Sequence, residues 1–236
     1  MVPVPVPVRG VDGGQRNPPI LLQSAAAEAC ARLAADARAS GFELSIASGY
    51  RSFERQLAIF NAKAAGERPV LDQRDCPVDL EALDTDARID AILRYSALPG
   101  GSRHHWGTEI DVFDTACLPP DYRVALSEAE VAPGGLFDPL HCWLDERIAA
   151  GQSHGFYRPY DVDRGGVAPE RWHLSFAPLA HDYERLVDAD LLQRCWNASC
   201  ADTLCWREAL QARLPELVER YLYAVSPPPQ WAGAEA

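Results

Sequence analysis

Several features that would assign this chain to a common functional class are missing from its 236 residues. No run approaches the roughly 18 to 20 apolar residues that a membrane-spanning helix needs, so we expect no membrane span. The sequence contains no Gly-rich phosphate loop and no G-x-S-x-G elbow, so a nucleotide-binding or serine-hydrolase interpretation has no motif to support it. Positive charge is scarce, with 22 Lys and Arg against 34 Asp and Glu, a net charge of −12. This balance argues against a nucleic-acid partner.

The N-terminal segment, MVPVPVPVRG, lacks the basic region and the continuous apolar region of a secretory signal peptide. Its alternating prolines oppose helix formation. We therefore expect no signal peptide in this sequence, and we expect residues 1–20 to form an extended arm.

Cysteine is more frequent than a reducing compartment favours. The sequence has seven cysteines, of which an oxidising compartment could pair six. Cys195, Cys200 and Cys205 recur every five residues, which is not a usual zinc-binding spacing. We expect disulfides or buried thiols at these positions rather than a second metal site.

Apolar periodicity predicts the main elements of one domain. It predicts helices over residues 24–40, 83–95 and 136–150, and a further helix that begins at Ser52 as its N-cap. Short strands are predicted over residues 42–48, 108–113 and 171–176. Beyond residue 180 the pattern predicts helices over 183–196 and 202–224, with Pro215 restarting the second.

One segment, SRHHWGTEIDVFD at residues 102–114, concentrates side chains that carry out chemistry. It holds two histidines and three carboxylates, and such groups bind zinc in open catalytic sites, where three protein ligands leave a fourth position for water. Strand alternation places Glu109 and Asp111 on the same side. One histidine and one aspartate cannot supply three ligands, so a third ligand and a general base are sought in ERWH, residues 170–173.

An upstream segment, SGYRSFERQ at residues 48–56, supplies further polar groups. Arg51 falls at a strand-to-helix junction and Gln56 lies one turn into the helix, so both side chains can point at a cleft beside the sheet. Taken alone, an arginine in this position is more often a solvated charge.

Read together, SGYRSFERQ, SRHHWGTEID and ERWH resemble the zinc D-alanyl-D-alanine carboxypeptidases and dipeptidases of the VanY and VanX type. The resemblance covers roughly residues 20–180. That family has S-x-H-x-x-G-x-A-x-D followed by E-x-W-H, and the matching residues here are Ser102, His104, Gly107, Asp111, Glu170, Trp172 and His173. One departure is Glu109, where the family usually has alanine. This carboxylate could hydrogen-bond a metal ligand or bind a substrate amine, and the sequence leaves both open.

The resemblance implies a role for each matched residue. One Zn²⁺ ion would be held by His104, Asp111 and His173. Glu170 would be the general base, and Arg51 would steady an oxyanion or a substrate carboxylate. Ser102 and, more weakly, Gln56 would bind substrate. Glu109, which departs from the family pattern, is a further candidate for substrate binding.

With the predicted elements, the resemblance implies an α+β fold in which helices flank a small antiparallel sheet that carries the zinc site. We expect the chain to divide into the arm (1–20), a zinc metallopeptidase domain (21–180), a helical C-terminal extension packed on it (181–225) and a disordered tail (226–236).

The implied activity is hydrolysis of bacterial cell-wall peptides by a D-alanyl-D-alanine carboxypeptidase. One alternative is a peptidoglycan endopeptidase that cuts cross-links or stems, and another is a non-catalytic, Hedgehog-like zinc-binding module. The expected partner is a peptidoglycan stem peptide or muropeptide, and the expected oligomeric state is a monomer. The expected location is the cell envelope, the periplasm or the exterior.

Overall fold

A four-stranded antiparallel sheet lies at the centre of the computed structural model, which describes residues 1–4, 19–184, 186–199 and 202–230. Two short strands, β1 (Val2–Pro3) and β2 (Leu21–Leu22), pair separately. The main sheet has the order β3-β4-β6-β5. Its strands are β3 (Leu44–Ser48), β4 (Glu109–Asp114), β5 (Phe156–Tyr157) and β6 (His173–Phe176).

Eight α-helices surround the sheet within the described ranges. They are α1 (Ser24–Ala39), α2 (Phe53–Ala64), α3 (Thr85–Leu93), α4 (Glu128–Val131), α5 (Asp138–Ala149), α6 (Ala177–Glu184), α7 (Ala189–Ser199) and α8 (Arg207–Val218). The predicted N-cap of α2 is confirmed, since the Ser52 side chain accepts a hydrogen bond from the Arg55 amide. The predicted α+β fold, a small antiparallel sheet flanked by helices, is confirmed.

Strand β4 is one of the two inner strands of the sheet and is buried along its whole length. It pairs with β6 so that Ile110 lies opposite Leu174 and Asp111 lies opposite His173. Ile110 and Leu174 pack with Leu33 of α1 in one hydrophobic core. Because side chains alternate along a strand, Asp111 and His173 face the other side of the sheet. The register therefore places two polar side chains together in a buried setting.

A second core joins the C-terminal helices to α2 and α3. Leu192 and Trp196 of α7 and Leu217 of α8 pack in one cluster with Phe60 and Ile92. The indole of Trp196 also donates a hydrogen bond to the carbonyl of Pro99, at 2.8 Å. The C-terminal helices thus support the turn that leads into residues 102–114.

Two predictions about the C-terminal helices are wrong. The helix predicted over 183–196 is two helices, α6 and α7, and Asp188 accounts for the break because its side chain accepts a hydrogen bond from the Leu191 amide at 2.7 Å, as an N-terminal capping residue does. Pro215 does not restart a helix but lies inside α8. Leu214 and Leu217 beside it are buried in the second core, and such packing offsets the helix-breaking tendency of proline.

The thiols are free wherever the structure describes them. This holds for Cys30, Cys76, Cys117, Cys142, Cys195 and Cys205. Of the two alternatives expected at Cys195 and Cys205, disulfides or buried thiols, the structure shows thiols. Cys195 and Cys205 pack as partly buried thiols against the second core. Three predictions concern residues outside the described ranges: Cys200, most of the arm (residues 5–18) and most of the tail (231–236). Within the described ranges, no helix has both the length and the apolarity to cross a bilayer.

Candidate metal centre and active site

Three side chains from separate elements converge in the buried interior. His104 lies in a 3-10 helix (Arg103–Trp106) just before β4, Asp111 lies in β4 and His173 opens β6. One potential ligand atom from each lies within 4.8 Å of the other two. Because Asp111 and His173 are cross-strand partners, the sheet register itself brings two of the three groups together.

Hydrogen bonds orient the two imidazole rings. The Nδ1 atom of His104 lies 2.8 Å from the carbonyl oxygen of Gly49, which can only accept a hydrogen bond. This leaves Nε2, at 3.3 Å from Asp111 Oδ2, free to bind a cation. The other oxygen of Asp111 lies 3.0 Å from His173 Nδ1. Both imidazoles therefore point a nitrogen at the same carboxylate.

The protonation equilibria of these groups are typical of a cation site. Burial works to raise the pKa of Asp111, but His104 and His173 outweigh it and hold that pKa well below its usual range. Burial alone would lower the pKa of His173, whereas its contacts with Asp111 and Glu109 raise it to about 10. Without a metal ion, the imidazole of His173 therefore carries an extra proton and a positive charge. A bound metal ion would displace that proton and supply the positive charge instead. One carboxylate and two imidazoles are a donor set that suits zinc.

Glu170 lies at the edge of this cluster. Its Oε2 atom is 3.8 Å from His173 Nδ1, and its side chain is 13% exposed. Burial raises the pKa of Glu170 to about 7; His173 opposes that shift and Asp111 adds to it. A carboxylate with a pKa near neutrality can accept and return a proton at working pH.

Arg51 is held at the cavity by its neighbours. Its guanidinium donates to Gln56 Oε1 at 2.9 Å and to Ser48 Oγ at 3.1 Å, and its backbone amide donates to the carbonyl of His104. Burial lowers the pKa of Arg51, while Asp111 and Glu170 oppose the shift. The guanidinium is thus fixed beside the acidic groups of the site.

A cavity of about 540 Å³ opens onto these side chains. The predicted site residues on its wall are Arg51, Ser102, His104, Asp111, Glu170 and His173. Gln56 and Glu109, which were expected to contact substrate, are fully buried and are not among the described residues that line the cavity. Gln56 lies behind Arg51, and Glu109 lies against the Nε2 atom of His173.

The wall also includes Lys63, Arg68 and Tyr160, none of which was assigned to the site from the sequence. Lys63 is the only lysine in the chain. It lies on the same face of α2 as Gln56 and Ile59, because it follows them by seven and four residues along the helix. That spacing could have predicted from the sequence that Lys63 faces the cavity. The positions of Arg68 and Tyr160 on the cavity wall depend instead on how their loops fold back toward it.

Comparison with known proteins agrees with the motifs. Residues 19–179 match the family model described as VanY, D-alanyl-D-alanine carboxypeptidase. An uncharacterised protein from Haemophilus influenzae is 28% identical over 127 residues, which cover 53% of this chain and 92% of the relative. A second uncharacterised protein from the same organism is 46% identical over 77 residues, 33% of this chain and 53% of the relative.

Solved structures that match this chain include VanYB in complex with D-alanine-D-alanine, at a TM-score of 0.47 and 22% identity, covering 84% of this chain and 86% of that one. The LD-carboxypeptidase LdcB has a TM-score of 0.41 and 22% identity, and 66% and 65% of the two chains are covered. The family match spans more than half of the sequence. This chain therefore belongs to the VanY D-alanyl-D-alanine carboxypeptidase family.

Proposed function

We propose that this protein is a zinc-dependent D,D-carboxypeptidase that releases the terminal D-alanine from cell-wall stem peptides. The observation that carries the proposal is the convergence of His104, Asp111 and His173, with potential ligand atoms within 4.8 Å of one another, on the wall of a cavity. We assign the three side chains as ligands of one Zn²⁺ ion. The family match to residues 19–179 supports hydrolysis of cell-wall peptides as the general activity.

Zinc in such a site supplies Lewis acidity, which makes a water molecule acidic and polarises the scissile carbonyl. Glu170 accepts one proton from the attacking water while the oxygen of that water adds to the carbonyl carbon. When the C–N bond breaks, Glu170 returns that proton to the leaving amine of D-alanine. The guanidinium of Arg51 carries a permanent charge and stabilises negative charge on the substrate.

The charge on one part of the cavity wall favours exopeptidase over endopeptidase activity. Arg51, Lys63 and Arg68 all line the cavity, and the terminal D-alanine of a stem peptide carries a free carboxylate that an internal peptide bond lacks. Cationic side chains recognise carboxylates through charge-assisted hydrogen bonds. We therefore assign this cationic part of the wall to the C-terminal carboxylate.

The experiment that tests the proposal compares two substrates. Purified protein with one equivalent of zinc is incubated with a stem pentapeptide ending in D-Ala-D-Ala and, separately, with cross-linked muropeptides. We expect free D-alanine from the pentapeptide and intact cross-links. Cleavage of cross-links without D-alanine release would establish the endopeptidase alternative. Zinc binding without cleavage of either substrate would favour the non-catalytic module.

The substrate also suggests where the protein acts. Stem peptides are exposed outside the cytoplasmic membrane, so we place the protein in the cell envelope or outside the cell. We further propose that it is a monomer. Size-exclusion chromatography with light scattering and fractionation of the producing cell test these two assignments.

A further inference from the structure

Glu109 is a buried carboxylate that contacts a proposed metal ligand from the side away from the cavity. Its side chain has no exposed surface. One oxygen, Oε2, lies 2.9 Å from Nε2 of His173, whereas Nδ1 of the same ring faces Asp111. The imidazole is thus held between two carboxylates, one at each nitrogen.

The second oxygen of Glu109 is also engaged. Oε1 accepts hydrogen bonds from Ser175 Oγ at 2.8 Å and from Thr108 Oγ1 at 3.0 Å. Both donors are buried. With both oxygens bound inside the protein and no surface on the cavity, Glu109 cannot reach a substrate amine. The geometry removes one of the two roles that the sequence left open.

A buried cation balances the charge of Glu109. The Nε atom of Arg103 lies 3.5 Å from Oε2 of Glu109, and both side chains are almost fully enclosed. Arg103 also donates to Ser175 Oγ at 2.8 Å and to Glu184 Oε1 at 2.6 Å. Burying an unpaired carboxylate is costly, so Arg103 stabilises Glu109 as an anion in the interior. The carboxylate is held in place by neighbours on β6, in the 3-10 helix and at the residue just before β4.

We propose that Glu109 is a positioning residue for the metal centre: it accepts the Nε2–H of His173, fixes the orientation of the ring and leaves Nδ1 as the nitrogen that binds zinc. This inference rests on the proposed zinc site. Histidine ligands commonly donate their second N–H to a carboxylate, which fixes the tautomer and strengthens metal binding.

Metal affinity provides the first test. Zinc dissociation constants are measured by chelator competition on metal-free wild type, Glu109→Ala and Glu109→Gln. We expect Glu109→Ala to bind zinc about 10- to 100-fold more weakly, the usual cost of removing such a partner. Glu109→Gln keeps an acceptor oxygen for Nε2–H and should lose less. Glu184→Gln is the matched control, because Glu184 contacts Arg103 but not His173, and its zinc affinity should equal that of wild type.

A second readout needs no variant that could fail to fold. In the zinc-loaded wild type, nitrogen-15 NMR of the histidine rings should show the proton of His173 on Nε2, in slow exchange with solvent. A proton on Nδ1 would overturn the proposal, as would wild-type zinc affinity in a folded Glu109→Ala protein. Absence of zinc binding by the wild type is a distinct result, because it would refute the proposed function itself.

Discussion

Gln56 holds the guanidinium of Arg51 from behind the cavity wall. Its Oε1 atom accepts from Arg51 Nη1 at 2.9 Å, while its Nε2 donates to the carbonyl of Ala97 at 2.7 Å. The second hydrogen bond fixes the amide, so that its oxygen faces the arginine. Gln56 is fully buried, so we expect any effect of Gln56 on a substrate to pass through Arg51.

Replacement of Gln56 should lower kcat/KM even though the Gln56 side chain does not contact the substrate. In Gln56→Leu the guanidinium loses one fixed partner, and we expect kcat/KM for a stem pentapeptide to fall about 10-fold, equivalent to about 1.4 kcal/mol or one hydrogen bond to a charged group. Gln152→Leu is the matched control, because it breaks a surface Arg147–Gln152 hydrogen bond of similar length, 2.8 Å. Equal rates for Gln56→Leu and wild type would show that Arg51 needs no such support.

Lys63 should contribute to substrate binding. Burial lowers its pKa, Glu170 opposes that shift, and Arg68 and Arg51 add to it; a carboxylate bound among these cations would relieve their mutual repulsion. We expect Lys63→Met to raise KM for the pentapeptide about 10-fold, the loss of one charge-assisted contact, with a smaller change in kcat. Arg55→Met, at an exposed position of the same helix, should leave KM unchanged.

Chemical labelling gives an independent check on Lys63. Because it is the only lysine in the chain, an amine-acylating reagent can modify only this side chain and the N-terminus. D-Ala-D-Ala should slow acylation of Lys63 and leave that of the N-terminus unchanged. Labelling of Lys63 at the same rate with and without the dipeptide would remove it from the binding site.

Glu170 should be needed for turnover but not for metal binding. Glu170→Gln keeps the size of the side chain but cannot accept a proton, so we expect kcat to fall about 10²- to 10⁴-fold, the usual contribution of general base catalysis. Zinc content should stay at one ion per chain. Glu128→Gln, which alters another carboxylate on the cavity wall, serves as the control and should keep most of the activity. Substantial activity in Glu170→Gln would assign the proton transfer to another group.

Acid sensitivity of the fold should depend on His141, which is fully buried. Burial, together with Arg158 and Arg171, lowers its pKa to about 2. In the unfolded chain a histidine binds a proton near pH 6.5. Below that pH the unfolded state therefore binds a proton that the folded state does not, and this group alone lowers the free energy of unfolding by roughly 1.4 kcal/mol per pH unit.

Replacement of His141 tests that linkage. Between pH 6 and pH 4, the free energy of unfolding of His141→Asn, measured with urea, should fall less steeply than that of wild type. His181→Asn, at an exposed position, should keep the wild-type slope. Parallel curves for His141→Asn and wild type would mean that His141 is protonated in the folded protein.

The sequence predicted the parts of the site that depend on short-range spacing. Alternation along β4 placed Glu109 and Asp111 on one side, and both now contact the ring of His173. The N-cap at Ser52 and the strand-to-helix position of Arg51 were equally local. Each of these features follows from the pattern of residues within a short stretch of sequence.

Long-range partners could not be predicted in this way. The contact of Glu109 with Ser175 depends on the pairing of β4 with β6, and its contact with Arg103 depends on how the 3-10 helix packs against β4. No local sequence pattern predicts either contact. Gln56 was assigned to substrate because its position on the helix follows from the sequence, whereas the carbonyl of Ala97 that accepts its hydrogen bond comes from a distant loop. The break before α7 had a local signal, the capping Asp188, which the apolar periodicity obscured.

The most direct test of the central claim is a zinc titration of the metal-free protein, followed by D-alanine release from a stem pentapeptide. If His104, Asp111 and His173 hold one catalytic ion, release should be absent with chelator, rise linearly with added zinc and level off at one ion per chain. Asp111→Ala should require far more zinc or remain inactive. Undiminished D-alanine release by the chelated protein, or full activity of Asp111→Ala at one equivalent, would contradict the account.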